Sequence, residues 1–201
     1  MQLDAVIPRP TLSDVLTELG LGRPVVVTGT RGGPVMLCAA EETTPDQINL
    51  MATHARGLVG LVMTHKRAAE LGLDLQPRSG RPGAPLYTRS IEAAKGTTTG
   101  ISTEDRARTI RIAATGGKGD VITPGHIFPQ VSDGDQNGVA ETAIRLLAAS
   151  GGQCAATICA ILDDRGEVAD TPTAQALARR LGLATVDMSQ VRALTGPDAF
   201  W

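Results

Sequence analysis

Apolar positions recur at helical spacing near the start of the chain. Leu12, Val15, Leu16 and Leu19 share one side of residues 11–21, and Gly22 supplies a stop. Residues 24–28 form a Val-rich run that predicts a short strand, and 29–34 is a turn by composition. Residues 35–40 predict a second strand, so the two are expected to pair as a hairpin. Thr44, Pro45 and Gln47 predict a helix start, with cap, first-turn proline and capping-box glutamine, running to about residue 55. A buried strand is expected over 58–64 and a short helix to about 71. Residues 72–85, rich in Pro, Gly and Arg, read as a loop long enough to be a lid or binding loop.

Further on, residues 87–91 predict a strand, 116–120 a turn, and 139–150 a helix. The pattern then gives a strand over 154–162, a helix opened by Thr171 and Pro172, a strand over 183–186 and a closing helix capped by Ser189. Strands and helices alternate without a repeat or a linker, which predicts a single mixed α/β domain.

Composition narrows the picture. A chain of 201 residues suits one domain with a sizeable core. With 42% hydrophobic but only 2% aromatic residues, that core must be built from Ala, Val, Leu and Ile. A formal charge of −2 gives no electrostatic reason to expect nucleic acid or an anionic membrane as partner. No apolar run reaches the roughly 18 residues of a membrane span, and no signal-peptide pattern stands at the start, so a cytoplasmic protein is expected. Cys38, Cys154 and Cys159 lack metal-binding spacing, and the latter two lie in an apolar segment as expected of small core residues. His54 and His65 stand near predicted element ends and read as ordinary residues rather than ligands.

One stretch concentrates polar groups around two glycines. Residues 91–109 read IEAAKGTTTGISTEDRART. Gly96 and Gly100 permit tight turns, and Ser102 can cap a helix with Asp105 three residues on. Such a helix start aims N–H groups and hydroxyls at one place, fit for a polyhydroxylated or anionic ligand. A plain capped helix after a Thr-rich loop explains the same residues.

This segment is similar to the GxTTGxSxxDR signature of 3,4-dihydroxy-2-butanone 4-phosphate synthases. Residues 124–129, PGHIFP, resemble the same family's PGHxFP segment, and weaker similarity runs from about residue 11 to about 195. The resemblance implies the family's single-domain mixed α/β sandwich. It also implies a homodimer with active sites near the subunit interface, and a reaction that converts ribulose 5-phosphate into a four-carbon phosphate plus formate.

Several chemical groups of that family are replaced here. Its acidic loop after the first strand, roughly DDEDRENEGD, corresponds to residues 28–35, shorter by about three residues and without an acid. Arg31 matches the loop arginine. The RGGHTEA motif corresponds to residues 136–142, where Gln136 stands for the arginine and Val139 for the magnesium-binding histidine. Glu141 persists. The glutamate that follows a cysteine in the family is Ala160 here, after Cys159. Neither valine nor alanine offers a donor to a cation.

The candidate catalytic residues are therefore His126, Asp105 and Glu141. His126 is a general acid or base, or a structural histidine in a Pro-bounded turn. Glu141 is a second proton carrier, or a first-turn acid favoured by the helix dipole. The candidate substrate contacts are Thr98, Thr99, Ser102, Arg106, Gln136, Val139 and Arg31. Arg106 is a fork for a carboxylate or phosphate, or an ion-pair partner of Asp105. The hydroxyls of Thr98, Thr99 and Ser102 meet a ligand or cap the backbone.

The expected function is metal-independent acid–base chemistry, an isomerisation, dehydration or cyclisation, on a small and less charged substrate in a specialised biosynthetic pathway. No cofactor is expected. One alternative is the synthase reaction on ribulose 5-phosphate with ligands relocated to Glu41, Glu42, Asp133 or Asp135. The other is a non-catalytic binding or partner subunit.

Overall fold

A computed structural model describes residues 10–78, 84–134, 137–153 and 155–194. A seven-stranded mixed sheet runs through the molecule. In chain order its strands are β1 (Val25–Thr28), β2 (Val35–Ala39), β3 (Arg56–Met63), β4 (Leu86–Tyr87), then β7 (Pro129–Val131), β8 (Ala155–Ile161) and β9 (Thr185–Asp187). They lie side by side as β4-β7-β3-β8-β2-β1-β9. A separate two-stranded sheet pairs β5 (Ile91–Ala93) with β6 (Val121–Ile127).

Alternation along the central strands divides the core in two. Val25, Val27 and Leu37 point to one face, where they meet Val15 and Leu19 of α1 (Leu12–Gly20), Ile144 and Leu147 of α5 (Val139–Ser150) and Val191 of α7 (Met188–Val191). Val26, Met36 and Leu61 point to the other. There they pack with Ile48 of α2 (Pro45–Leu50), Ile110 of α4 (Thr103–Thr115), Ala174 of α6 (Thr171–Leu181) and Ile91 of the small sheet. β1 and β2 are buried at every position, as strands covered on both faces require. The result is a mixed α/β sandwich whose core holds Leu, Ile, Val, Met and Ala.

The helix starts behave as their residues dictate. Thr11 and Asp14 close a capping box on α1, and Thr44 and Gln47 close another on α2. α2 continues into a π-helical turn, Met51–Ala55, and stops at Arg56 in the left-handed region at φ +70°. β1 and β2 form the expected antiparallel hairpin, with Val26 opposite Met36. α3 (His65–Glu70) is the expected short helix.

Three expectations need correction. The strand expected over 87–91 is two strands: β4 ends the large sheet and β5 begins the small one, because the chain crosses between layers at Thr88–Ser90. β6 and β7 are not foreseen, since Pro124, Gly125 and Pro129 read as breakers, yet β7 pairs in parallel with β3. Ser189 is not the cap of α7: Asp187 is, and it accepts from both Ser189 N and Ser189 Oγ. No helix among the described residues is long and apolar enough to cross a membrane.

Candidate functional site

The residues singled out above fall into two groups. The first gathers on the small sheet and the loop before α4. Ser102 caps α4 by accepting from Asp105 N at 3.0 Å. The Asp105 side chain does not complete the capping box. It turns back onto the loop, where its Oδ2 accepts from Thr98 N (3.2 Å), Thr98 Oγ1 (2.9 Å), Thr99 N (3.1 Å) and Gly100 N (3.0 Å). Asp105 is buried. Burial pushes its carboxyl up, but the hydrogen bonds from Thr98, Gly100 and Ser102 outweigh that and hold it below the ordinary value. A carboxylate saturated in this way is a staple for the loop and a poor proton carrier.

The hydroxyls fit the capping alternative. Thr98 Oγ1 donates to Asp105, Thr99 Oγ1 accepts from Ile101 N, and Ser102 Oγ accepts from Asp105 N. Arg106 makes no ion pair with Asp105. Its Nε is buried without a hydrogen-bond partner, and its charge lies near Cys159.

His126 stands on β6 beside a residue the sequence reading does not single out. Its Nδ1 lies 3.1 Å from Glu92 Oε2 and 3.4 Å from Glu92 Oε1. The pairing of β5 with β6 makes this meeting possible. Ile91 pairs with Ile127 while the next residue, Glu92, pairs with Ile122, so residues 123–126 bulge out of the ladder. The apolar, polar, apolar order of Ile91, Glu92 and Ala93 was the available signal that Glu92 faces out of the core, and in the fold the three are buried, half-buried and buried.

The second group lines a cavity of about 570 Å³, which of the two retained motifs only Phe128 reaches. Its lining includes Arg31 and Gly32 of the β1–β2 turn and Val139 and Glu141 of α5. Leu58 of β3, Tyr87, Phe128 of the β6–β7 link, and Ile158 and Ala160 of β8 join Val139 in its apolar lining. Arg31 N donates to Asn137 O at 2.8 Å, which fastens the turn to the start of α5. Glu141 is buried, and its Oε1 accepts from Asp133 N (2.5 Å) and Gly134 N (2.9 Å). Burial first, and the neighbouring Asp133 charge second, raise its carboxyl above the ordinary value despite those bonds. Gln136 lies outside the described residues. His126, Asp105, Arg106, Thr98, Thr99 and Ser102 do not line the cavity.

Of the relocated ligands, Asp133 reaches the cavity, Asp135 lies outside the described residues, and Glu41 and Glu42 are elsewhere. Glu41 Oε1 accepts from Gln153 N instead. Cys38 and Cys159 are buried, and burial pushes their thiols up to about 12 and about 11. Cys154 lies outside the described residues.

Comparison with known proteins gives one consistent result. Residues 13–194 match the family model of 3,4-dihydroxy-2-butanone 4-phosphate synthase. A synthase of that name from Pseudomonas aeruginosa is 36% identical over 185 residues, covering 86% of this chain and 50% of the relative. One from Agrobacterium fabrum is 32% identical over 191 residues, covering 90% of this chain and 89% of the relative. The chain thus spans about half the length of the first curated relatives it matches. A solved structure of a 3,4-dihydroxy-2-butanone 4-phosphate synthase in complex with two magnesium ions superimposes with a TM-score of 0.83 at 28% identity, covering 90% of this chain and 94% of that one.

The side chains here do not fit such a pair of ions. Val139 and Ala160 on the cavity wall carry no donor, and among the described residues Asp133 and Glu141 are the acids that reach it. Among the described residues no group of three or more His, Cys, Asp or Glu is placed to hold a metal. Magnesium completes its octahedron with waters and is commonly held by one or two carboxylates, so two ions ask for more than Asp133 and a Glu141 whose Oε1 already accepts two N–H groups.

Proposed function

The chain belongs to the 3,4-dihydroxy-2-butanone 4-phosphate synthase family, and from that premise we propose that it is an enzyme of the lyase or isomerase type, moving protons on a small hydroxylated ketone. The observation that carries this reading is Glu141: a buried carboxyl, raised above its ordinary value, on the wall of a cavity of substrate size. In the proposed step a C–H bond next to the ketone breaks, its electron pair moves to the carbonyl oxygen, and the proton passes to a side-chain base. Glu141 and His126 are the two carriers in this reading. Arg31 at the cavity rim faces the anionic end of the substrate.

Similarity to the curated synthases supports ribulose 5-phosphate as the substrate, with formate as one product, and this is the best supported choice. One observation favours a second reading. Val139 and Ala160 join Leu58, Tyr87, Phe128 and Ile158 in a wall that offers little to a heavily hydroxylated chain. A less charged substrate, turned over without a divalent cation in a separate biosynthetic pathway, suits that wall.

His126 is exposed and lies outside the cavity, near exposed Ile101, Ile122 and Phe128. Apolar side chains left in solvent at this place support a homodimer in which one copy presents His126 to the cavity of the other. A cytoplasmic setting belongs to the same reading.

Formate release from ribulose 5-phosphate, followed with and without added magnesium, tests the substrate. Mixing His126→Ala protein with Glu141→Gln protein tests the shared site. Each variant alone is inactive in this reading. Random exchange of subunits restores about a quarter of the wild-type rate, because half the dimers are mixed and each carries one intact site of two. No recovery after demonstrated exchange contradicts a site built from two copies.

A further inference from the structure

Two glycines and one staple converge on a single pair of side chains. Gly100 has φ +74°, and a Cβ there would overlap both Glu92 Oε1 and His126 Nδ1. Gly125 lies against the other side of the same strand, where a Cβ would overlap the Ile91–Glu92 peptide. Gly125 N donates to Ser90 Oγ at 3.2 Å, which fixes the bulge that carries His126. Gly100 in turn is held by Asp105 through its own N–H.

We propose that Glu92 is a positioning residue that fixes His126 through Nδ1, and that the Asp105-stapled loop clamps the two together. This rests on the reading that His126 carries a proton. Glu92 is mostly covered, with 14% of its side chain exposed, whereas that of His126 is 45% exposed. The carboxylate has no proton to give, so a neutral His126 donates from Nδ1 and presents the bare Nε2 lone pair outward. The same carboxylate faces the imidazolium once Nε2 has taken up a proton. A carboxylate behind an imidazole sets the ring orientation and tautomer in this way in nucleophile–base systems. Here the lateral room is removed by Gly100 on one side and the β5–β6 bulge on the other. Loss of the carboxylate behind a metal-ligating imidazole costs about 10–100-fold in metal affinity or activity, and a loss of that order is expected here.

The test is ¹⁵N-histidine NMR at about pH 9, where an ordinary imidazole is neutral. The chain has three histidines, and His126→Ala assigns the signal. The expected result for the wild type is an Nδ1-protonated His126, changing to the Nε2-protonated form or a mixture in Glu92→Ala. Turnover of Glu92→Ala should fall about 10–100-fold with KM within about twofold, and Glu92→Asp should recover part of it. A wild-type His126 that is Nε2-protonated overturns the proposal without any Glu92 variant. So does a signal unchanged between wild type and a folded Glu92→Ala. A switched tautomer with unchanged turnover leaves the positioning intact and instead refutes the reading that His126 carries the proton.

Discussion

Asp105 and Thr98 are joined twice: the backbone N–H and the hydroxyl of Thr98 both donate to the same carboxylate oxygen, at 3.2 and 2.9 Å. Thr99 and Gly100 add their N–H groups to that oxygen. The loop before α4 is therefore wound around one negative charge, and the position of Gly100 against Glu92 and His126 follows from it.

Asp105→Asn should weaken the fold in a pH-dependent way. The Asp105 carboxyl is held below its ordinary value in the folded protein, so its stabilisation is present above the unfolded value near 3.8 and is lost as pH falls through the folded one. The stability gap between wild type and Asp105→Asn should be largest near neutral pH and shrink towards about pH 3. Urea unfolding across that range checks it, and a gap that is constant with pH argues against the staple.

Gly100→Ala should cost more than its backbone angle alone. A non-glycine residue at positive φ costs about 1–3 kcal/mol. Gly119, at φ +96° with open space around it, isolates that cost. Gly100→Ala should exceed Gly119→Ala in destabilisation and reduce turnover at least about tenfold by displacing His126. Thermal melts and a kinetic assay on the two variants make the comparison, and equal behaviour would remove the clamp from the account.

Glu141→Gln should lose activity by about 10²–10⁴-fold if the carboxyl transfers a proton. Its stability should move the other way from that of Asp105→Asn. A raised carboxyl means that the folded state holds its proton longer than the unfolded chain, so the wild type loses stability as pH rises through the interval above the ordinary value. Glutamine keeps an oxygen to accept from Asp133 N and Gly134 N and has no charge to bury. Its stability relative to wild type should therefore improve from about pH 4 to pH 8, as denaturation midpoints would record.

Cys38 and Cys159 should resist thiol reagents in the native state. Their thiols are buried and pushed up to about 12 and about 11, so the reactive thiolate is scarce at neutral pH. In Cys154→Ser protein, labelling by a disulfide reagent should be slow until denaturant is added. Prompt labelling would show that the core opens on the assay timescale.

Much of this fold was legible because local signals and burial agree. Thr11 with Asp14 and Thr44 with Gln47 cap the helices their sequences announce, and the Val-rich runs of β1 and β2 pair as written. β6 and β7 were not legible, because Pro124 and Gly125 are breakers by local rule and sit in a bulge that only the pairing with β5 explains. The candidate site was legible as two motifs but not as a geometry. Asp105 reads as a capping partner of Ser102, and only the fold shows its carboxylate turned onto Thr98, Thr99 and Gly100. Glu92 reads only as the polar position in the Ile91–Glu92–Ala93 alternation, and its partner is visible only when β6 brings His126 beside it. Val139 and Ala160, far apart in sequence, line one cavity because α5 packs on β8.

That wall offers the most direct test. Manganese binding followed by electron paramagnetic resonance, with magnesium as competitor, asks whether the cavity holds a divalent cation. The wild type should show no saturable site, and one should appear in Val139→His combined with Ala160→Glu, which adds two donors to a cavity already lined by Asp133 and Glu141. One stoichiometric, magnesium-displaceable ion in the wild type, lost on Glu141→Gln, would contradict this.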